Sequence, residues 1–199
     1  MQQYPSIVGS SKSPVGVPCI AFYKYDGSNL RWEWSPKKGW HKFGTRTRLF
    51  DATDEEFKQA IPLFLNGMGD EVIRRIKEEY RGIERVTVYT EYFGPNSFAG
   101  KHDQDDQKEL RLIDAYLFKK GLMQPKQFDE MFSDLPYSAE VIYRGTLNHQ
   151  FINDVRAGKY PVWEGVIAKG DWGMVKIKTD AYFNRLNEVY GTDYRNYWE

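Results

Sequence analysis

A lysine that ends a strand-like run is the residue of this sequence best suited to covalent chemistry. Lys24 follows the apolar and aromatic residues 19–23, a composition typical of a buried strand. Residues 27–29 supply a turn, and residues 30–34 resume a strand with alternating apolar positions. The pattern predicts a β-hairpin with Lys24 at its mouth and Asp26 two residues later on the same face. An amine held there can form a phosphoramide bond to a nucleotide once it has lost its proton.

Two further lysines have the spacing needed to assist an attacking amine. Lysine ordinarily titrates near pH ~10.4, so attack on a phosphoryl group at neutral pH requires a lowered pKa. Lys176 and Lys178 fall on one face of a period-two strand, where they would form a cationic shelf for phosphates. Such cations beside Lys24, together with partial burial, would lower the pKa of its amine. The same two lysines also fit an edge strand protected by positive charge, so both interpretations stay open.

Carboxylates and arginines complete the set of charged groups at predicted strand ends. Glu91 and Glu164 are suited to hold a hydrated magnesium ion or a ribose hydroxyl, although Glu91 also fits a solvated strand end. Arg46 and Arg48 can clamp phosphates through paired hydrogen bonds. The neighbouring basic residues 37–38 fit a solvated hairpin face equally well.

The composition limits the classes of protein to consider. The 199 residues suit one domain over residues 1–199, and the formal charge of zero excludes a whole-molecule basic field for nucleic acid. Cys19 is the only cysteine, which excludes an internal disulfide and a cysteine-rich zinc site. The sequence has no apolar run that could span a membrane and no signal-peptide pattern. We therefore expect an intracellular, cytoplasmic protein of a phage or bacterium, without a membrane partner.

The order of elements predicts an α+β fold with antiparallel sheets flanked by helices. A capping box at Thr53 predicts a helix that Pro62 interrupts, and Thr146 is predicted to cap a helix that ends at Gly158. The other predicted helices cover residues 70–80, 128–132 and 180–199, and the other predicted strands cover residues 85–93, 110–118, 141–143, 162–168 and 174–178.

Five segments, in order along the chain, resemble the motifs of the covalent nucleotidyltransferase superfamily. This superfamily contains ATP-dependent RNA and DNA ligases and mRNA capping enzymes. The segments are residues 24–29, 44–46, 89–94, 164–169 and 175–178. Within the superfamily the sequence is most similar to RNA ligases of the phage and RNA-editing type, because residues 93–96 follow the third motif and residues 112–114 precede 121–125.

The resemblance implies a ligase adenylation fold without an appended C-terminal domain, and it assigns roles to the charged residues. The implied catalytic residues are Lys24, Lys176 and Lys178. The implied nucleotide-binding residues are Tyr23, Asp26, Asn29, Arg46, Glu91, Ile113, Glu164 and Lys169. The implied metal ligands are Glu91, Glu164 and Asp114. Ile113 and Tyr23 depart from the family pattern, which has an aromatic base-stacking residue and an acidic residue at these positions.

The resemblance also implies a reaction. Lys24 would attack the α-phosphate of ATP with Mg²⁺, or alternatively Mn²⁺, as the metal, and the AMP would pass to a 5′-phosphate end that a 3′-hydroxyl then joins. We expect RNA ends or nicks as the nucleic-acid partner and a monomeric protein, with delivery of the substrate by a separate partner as an alternative. A DNA ligase, a GTP-dependent capping-type enzyme and a nucleotide-binding adaptor without turnover stay open as alternatives.

Overall fold

Two β-sheets organise residues 1–197, the part of the chain that the computed structural model describes. The strands in chain order are β1 (Val8–Gly9), β2 (Val17–Lys24), β3 (Ser28–Ser35), β4 (Gly39–Gly44), β5 (Leu49–Phe50), β6 (Val86–Phe93), β7 (Glu109–Leu117), β8 (Gly121–Leu122), β9 (Val141–Leu147), β10 (Gly165–Gly170) and β11 (Gly173–Lys178). The helices are α1 (Ala60–Phe64), α2 (Asp70–Glu79), α3 (Pro125–Phe132), α4 (His149–Arg156) and α5 (Asp180–Tyr190). Strand pairing is antiparallel except between β1 and β11, which confirms the predicted α+β class.

Contacts between residues divide the chain into two compact units, each with its own sheet. Unit 1 comprises Met1–Pro5, Gly27–Met123 and Gln127–Ala139, and its sheet has the order β5-β4-β3-β6-β7-β8. Unit 2 comprises Ser6–Asp26, Gln124–Lys126 and the residues from Glu140 onward, and its sheet has the order β1-β11-β10-β2-β9. The single domain over residues 1–199 stays a prediction.

The predicted hairpin between β2 and β3 is wrong. β2 pairs with β9 and β10 in unit 2, whereas β3 pairs with β4 and β6 in unit 1. Gly27 begins the passage into unit 1, and a Cβ built on it would lie 2.3 Å from the carbonyl oxygen of Tyr92. Two strands joined by a short turn show the same alternation whether they pair or enter different sheets. The pattern therefore locates both strands without determining their partners.

The sheet of unit 2 has one apolar face and one face rich in lysine. Alternate residues of β2, β10 and β11 pack with α4 in a hydrophobic cluster that includes Ala21, Val166, Val175 and Phe151. Because strand side chains alternate in direction, the intervening residues of these three strands lie on the opposite face. β11 is paired on both sides, with β10 and β1, so the edge-strand interpretation of its lysines is wrong.

The core of unit 1 is built on aromatic side chains. Trp32 of β3 is fully buried and stacks on Phe64 of α1, with ring centroids 4.2 Å apart. Its indole nitrogen donates a hydrogen bond to Thr90 of β6 at 2.9 Å, which satisfies the polar atom that the burial of tryptophan brings into the core.

The helix predicted from Thr53 begins later, at α1. The Thr53 hydroxyl donates to Asp51 instead of capping a helix, and Asp54 ion-pairs with Arg48 while accepting from the backbone amide of Phe57. Pro62 lies inside α1 and does not interrupt it, because an amide in the first turn of a helix has no intrahelical partner to lose. A single π-helical turn, Leu65–Gly69, then leads into α2.

The ends of α4 and α5 also differ from the predictions. Asn148 caps α4 by accepting from the amide of Phe151, since Thr146 belongs to β9. Gly158, with a φ of +70°, follows the end of α4 as predicted. α5 ends before Gly191, a 3₁₀ segment continues to residue 197, and the predicted helical residues 198–199 lie outside the described part. Within residues 1–197, no helix has the length and apolar character needed to cross a membrane.

Candidate active site

A glycine lies between two of the predicted catalytic lysines in the sheet of unit 2. Gly165 of β10 is the register partner of Lys24 on β2 and of Lys178 on β11. Its φ is +148°, and a Cβ built on it would lie 1.9 Å from the carbonyl oxygen of Ile177. Only glycine fits this backbone, so the row across the three strands presents two lysines with no side chain between them.

Both lysines pair with the carboxylate that precedes this glycine. The Nζ atom of Lys24 lies 2.7 Å from Oε1 of Glu164, and the Nζ atom of Lys178 lies 3.1 Å from the same oxygen. Glu164 is only 2% exposed, and among the described residues its Oε2 is buried without a hydrogen-bond partner. The site therefore combines two ammonium groups with one carboxylate, and one carboxylate oxygen can still accept a hydrogen bond.

The position of Lys178 disfavours its charged form. Burial lowers the pKa of Lys178, Lys24 lowers it further, and the Glu164 carboxylate opposes both effects. The structure thus brings Lys178 and Lys24 close enough to influence each other electrostatically, as the arrangement of an attacking lysine beside a second cation requires.

Two more lysines lie on the same face of the sheet. Lys176 of β11 pairs in register with Ile167 in the next row. Lys169 ends this face of β10, is 5% exposed, and places its Nζ atom 5.1 Å from the ring centroid of Phe22. These positions extend the positive charge of the face along β10 and β11.

The other predicted residues of unit 2 are placed differently. Tyr23 precedes Lys24 on β2, so its side chain lies on the opposite face, where its hydroxyl accepts from the amide of Trp163 at 3.2 Å. Asp26 accepts a hydrogen bond at 2.8 Å from the hydroxyl of Tyr182 on α5. The nucleotide-binding roles of Tyr23 and Asp26 stay predictions.

In unit 1, two predicted residues are cross-strand neighbours. Asn29 of β3 and Glu91 of β6 are register partners, and Glu91 lies opposite Arg111 of β7. Within the described residues, the side-chain oxygen of Asn29 is buried and has no hydrogen-bond partner. Asn29 therefore retains an acceptor next to Glu91 for a hydroxyl or amide donor.

The remaining predicted residues of unit 1 lie on β7 and in the β4–β5 loop. Asp114 of β7 is 2% exposed and accepts from the hydroxyl of Tyr4 at 3.1 Å. Ile113 precedes it at the irregularity where β6 and β7 shift register, between the pairs Tyr89–Asp114 and Thr90–Leu112, and its base-binding role stays a prediction. Arg46 is exposed in the β4–β5 loop, where its carbonyl oxygen accepts from the side chain of Gln3 at 3.3 Å.

The fold is similar to that of solved RNA ligase structures. An RNA ligase mutant of Naegleria gruberi with ATP and manganese matches with a TM-score of 0.66 and 15% identity, over 93% of this chain and 58% of that chain. The same ligase with pyrophosphate matches with a TM-score of 0.64 and 16% identity, over 94% of this chain and 58% of that chain. The fold is that of an RNA ligase nucleotidyltransferase domain. This confirms the fold that the five motifs predict.

The sequence alone gives no such match. No protein-family model matches it, and no curated protein matches it. The chain spans 58% of the length of the two ligase chains described above.

The predicted metal ligands are divided between the units, with Glu91 and Asp114 in unit 1 and Glu164 in unit 2. In the described part of the chain, no three or more His, Cys, Asp or Glu side chains form a group that could hold a metal ion. Magnesium is commonly held by one or two carboxylates together with waters and substrate phosphates, so a closed protein cage is not required. The buried Oε2 of Glu164 fits this mode, because it can accept from a metal-bound water.

Three residues that position the site received no role from the sequence. The sequence identified Gly165 only as part of the fourth motif. A glycine directly after an acidic residue at a strand end can indicate a backbone conformation that other residues do not adopt, as it does here. Thr179 caps α5, and Tyr182 reaches Asp26 from that helix. The spacing of Thr179 and Tyr182 predicts a helix start, but it carries no signal of the contact with Asp26.

Proposed function

We propose that this protein is an ATP-dependent polynucleotide ligase, acting on RNA, that carries AMP covalently on Lys24. The observation that carries the proposal is the convergence of Lys24 and Lys178 on one oxygen of the buried Glu164, in a sheet with an RNA ligase fold. These three residues come from the first, fifth and fourth motifs. A nucleotide-binding adaptor would have no need for an amine held at this position.

In the proposed first step, the neutral amine of Lys24 attacks the α-phosphorus of ATP. The ammonium proton leaves first, and Oε1 of Glu164 is an acceptor 2.7 Å away. A bond forms between Nζ and phosphorus while the bond to the bridging oxygen of pyrophosphate breaks. Lys178 and Lys176 would stabilise the negative charge that develops on the phosphoryl oxygens.

In the next two steps the AMP leaves the lysine. A 5′-phosphate oxygen attacks the phosphorus of lysyl-AMP, so that the nitrogen–phosphorus bond breaks and Lys24 recovers a proton. A 3′-hydroxyl then attacks the 5′-phosphate and releases AMP. Lys169, Asn29 and Arg46 are proposed to hold the nucleotide through its phosphates and hydroxyls.

A divalent metal is proposed to act with these residues. Glu164 is proposed to bind the hydrated ion through its Oε2, and the role of Glu91 as a metal ligand stays the one that the resemblance implies; the ion, when bound, would neutralise phosphate charge. Magnesium is the proposed metal and manganese the alternative. RNA ends or nicks are the proposed partner, bound by a monomer that acts with or without a separate delivery protein.

The test is labelling with ATP that carries a radioactive α-phosphate, in the presence of magnesium. We expect label that survives denaturation, is released by acid and is lost in Lys24→Ala. Lys12→Ala, an exposed lysine of unit 2, is the matched control and should label as the wild type does. Absence of label on the wild type, or full labelling of Lys24→Ala, would overturn the proposal.

Substrate choice is tested separately. Replacing ATP by GTP separates a ligase from a capping-type enzyme, and nicked RNA, hybrid and DNA duplexes separate RNA from DNA sealing. Binding of ATP without label would instead support the adaptor.

A further inference from the structure

A tyrosine of α5 contacts two charged residues of the candidate active site at once. Tyr182 is 1% exposed, and its hydroxyl donates to Oδ2 of Asp26 at 2.8 Å. The centroid of its ring lies 4.9 Å from the Nζ atom of Lys178. One side chain therefore joins the acid two residues after Lys24 to the lysine that shares the Glu164 carboxylate.

The start of α5 is attached to the backbone that carries Glu164. The amide of Thr179 donates to the carbonyl oxygen of Glu164 at 2.9 Å, and its hydroxyl donates to the carbonyl oxygen of Trp163 at 2.7 Å. The same hydroxyl accepts from the amide of Tyr182 at 3.1 Å, which caps the helix. Tyr182 is thus presented from a helix whose first turn is fixed to the site.

We propose that Tyr182 is a positioning residue for the formation of lysyl-AMP. Its hydroxyl holds the Asp26 carboxylate, so that Glu164 stays the carboxylate shared by Lys24 and Lys178. This role rests on the proposed function, since it concerns the step in which Lys24 attacks ATP.

The charges around the lysine pair explain why this restraint matters. The charged groups that act on Lys178 are Glu164 of β10, Lys24 of β2 and Asp26 just beyond β2. Without the tyrosine hydroxyl, the Asp26 carboxylate loses a donor and can approach the two ammonium groups. A second carboxylate would compete with Glu164 for the two ammonium groups and draw Lys24 away from the position that its contact with Glu164 defines.

The test is the rate of lysyl-AMP formation in Tyr182→Phe, measured with labelled ATP in single turnovers. We expect roughly tenfold slower formation at saturating ATP, because a hydrogen bond to a charged group is lost. The KM for ATP should change less than about twofold, since the hydroxyl acts through Asp26 on the lysine pair that attacks ATP.

Two further variants separate positioning from a merely structural role. Tyr190→Phe removes a hydroxyl from the same helix and should leave both the rate and the KM for ATP unchanged. In an Asp26→Ala background, Tyr182→Phe should cause no additional loss, because its effect passes through Asp26.

The outcomes distinguish this role from the proposed function. A wild type that forms no lysyl-AMP overturns the proposed function and this role with it. A wild type that labels, with Tyr182→Phe equal to it in rate, overturns only the role of Tyr182. A rise in KM in place of the loss of rate, or a further loss in the Asp26→Ala background, also overturns it.

Discussion

Each unit contains a buried glutamate that pairs with cations, and the two are arranged differently. Glu33 of unit 1 pairs through Oε1 with Lys42 at 3.3 Å and through Oε2 with the amino group of Met1 at 3.3 Å. Glu164 of unit 2 directs both of its lysines to Oε1. Although burial acts to raise it, the pKa of Glu33 is lowered by the neighbouring positive charges of Lys42 and the N-terminal amino group.

The two glutamates differ in where their cations lie. The Oε2 atoms of both are buried and accept no hydrogen bond among the described residues, but Glu33 has a cation within ion-pair distance of each oxygen, so a ligand would have to displace an existing partner. Glu164 leaves its Oε2 as an acceptor and gathers two ammonium groups at one point, where a phosphate can take over part of the pairing. We therefore expect Glu33 to affect stability and Glu164 to affect lysyl-AMP formation.

The largest expected effect comes from Glu164→Gln. Loss of the carboxylate removes the shared partner of both lysines and turns an amide group toward one of them. Lysyl-AMP formation at saturating ATP should fall by about 10³-fold, the size found when one preorganised electrostatic group is removed. Single-turnover labelling measures it.

Glu33→Gln is the matched control, with the same chemical change in the other unit. It should lower the free energy of unfolding by about 1–3 kcal/mol, since charged hydrogen bonds are lost, while labelling stays within about twofold. Equal losses of labelling in both variants would show that the two glutamates do not differ as the comparison states.

The second effect concerns Gly165, which lies between Lys24 and Lys178 in the sheet and has no side chain. Gly165→Ala places a Cβ against the Ile177 carbonyl oxygen at a φ of +148°. Backbone strain and overpacking should lower the free energy of unfolding by about 2–4 kcal/mol. Urea denaturation measures this loss.

Gly158→Ala provides the comparison for this glycine within unit 2. Its φ is +70°, but no atom lies within 4 Å of the built Cβ, so the conformational cost alone should be about 1–2 kcal/mol. If the two variants were equally stable, the close approach of β10 and β11 at Gly165 would not be a constraint.

The sequence predicted the strands well because their patterns are local. The alternation that marks β6, β7 and β11 depends on residues within each strand. The predicted start of the helix at Thr53 was wrong because Asp54 forms an ion pair with Arg48. A capping-box pattern in the sequence does not show that such an ion pair competes with it. The sequence pattern also did not show that β2 and β3 belong to different sheets, since each of them pairs with strands that are distant in the sequence.

The candidate site was predictable in its residue types and not in its geometry. Lys24, Glu164 and Lys178 were identified through motif order, but their meeting at one oxygen depends on the register of three strands. Asp114 has a contact that no local pattern encodes, a hydrogen bond from Tyr4, more than a hundred residues earlier. Its role as a metal ligand, which the resemblance implies, stays a prediction.

The third effect tests that contact. Tyr4→Phe removes the hydroxyl that donates to Asp114, and we expect the free energy of unfolding to fall by about 1.5–3 kcal/mol with little change in labelling. In Tyr137→Phe, the lost hydroxyl is buried and has no hydrogen-bond partner among residues 1–197, so this control should be neutral or stabilising. A loss of labelling in Tyr4→Phe without loss of stability would instead favour a functional Asp114.

The smallest expected effect concerns a histidine of unit 1 and has a definite sign. His102 lies between the hydroxyls of Ser28, 2.8 Å from its Nε2, and Ser97, 3.2 Å from its Nδ1. Burial lowers the pKa of His102, Lys108 lowers it further, and Asp106 opposes them. The unfolded chain therefore binds the imidazole proton at a higher pH than the folded protein does, so stability should fall as the pH drops below about 6.5.

Urea denaturation between pH 7.5 and 5 measures this dependence. His102→Asn should be less stable at pH 7.5, because contacts with both hydroxyls change, yet it should lose less stability on acidification than the wild type. His149→Asn alters an exposed histidine of unit 2 and should keep the wild-type slope. If the slope of His102→Asn matched that of the wild type, the acid sensitivity would lie elsewhere. A change in labelling instead of stability would show that His102 acts in lysyl-AMP formation. The expectation that this residue of unit 1 affects only stability would then be wrong.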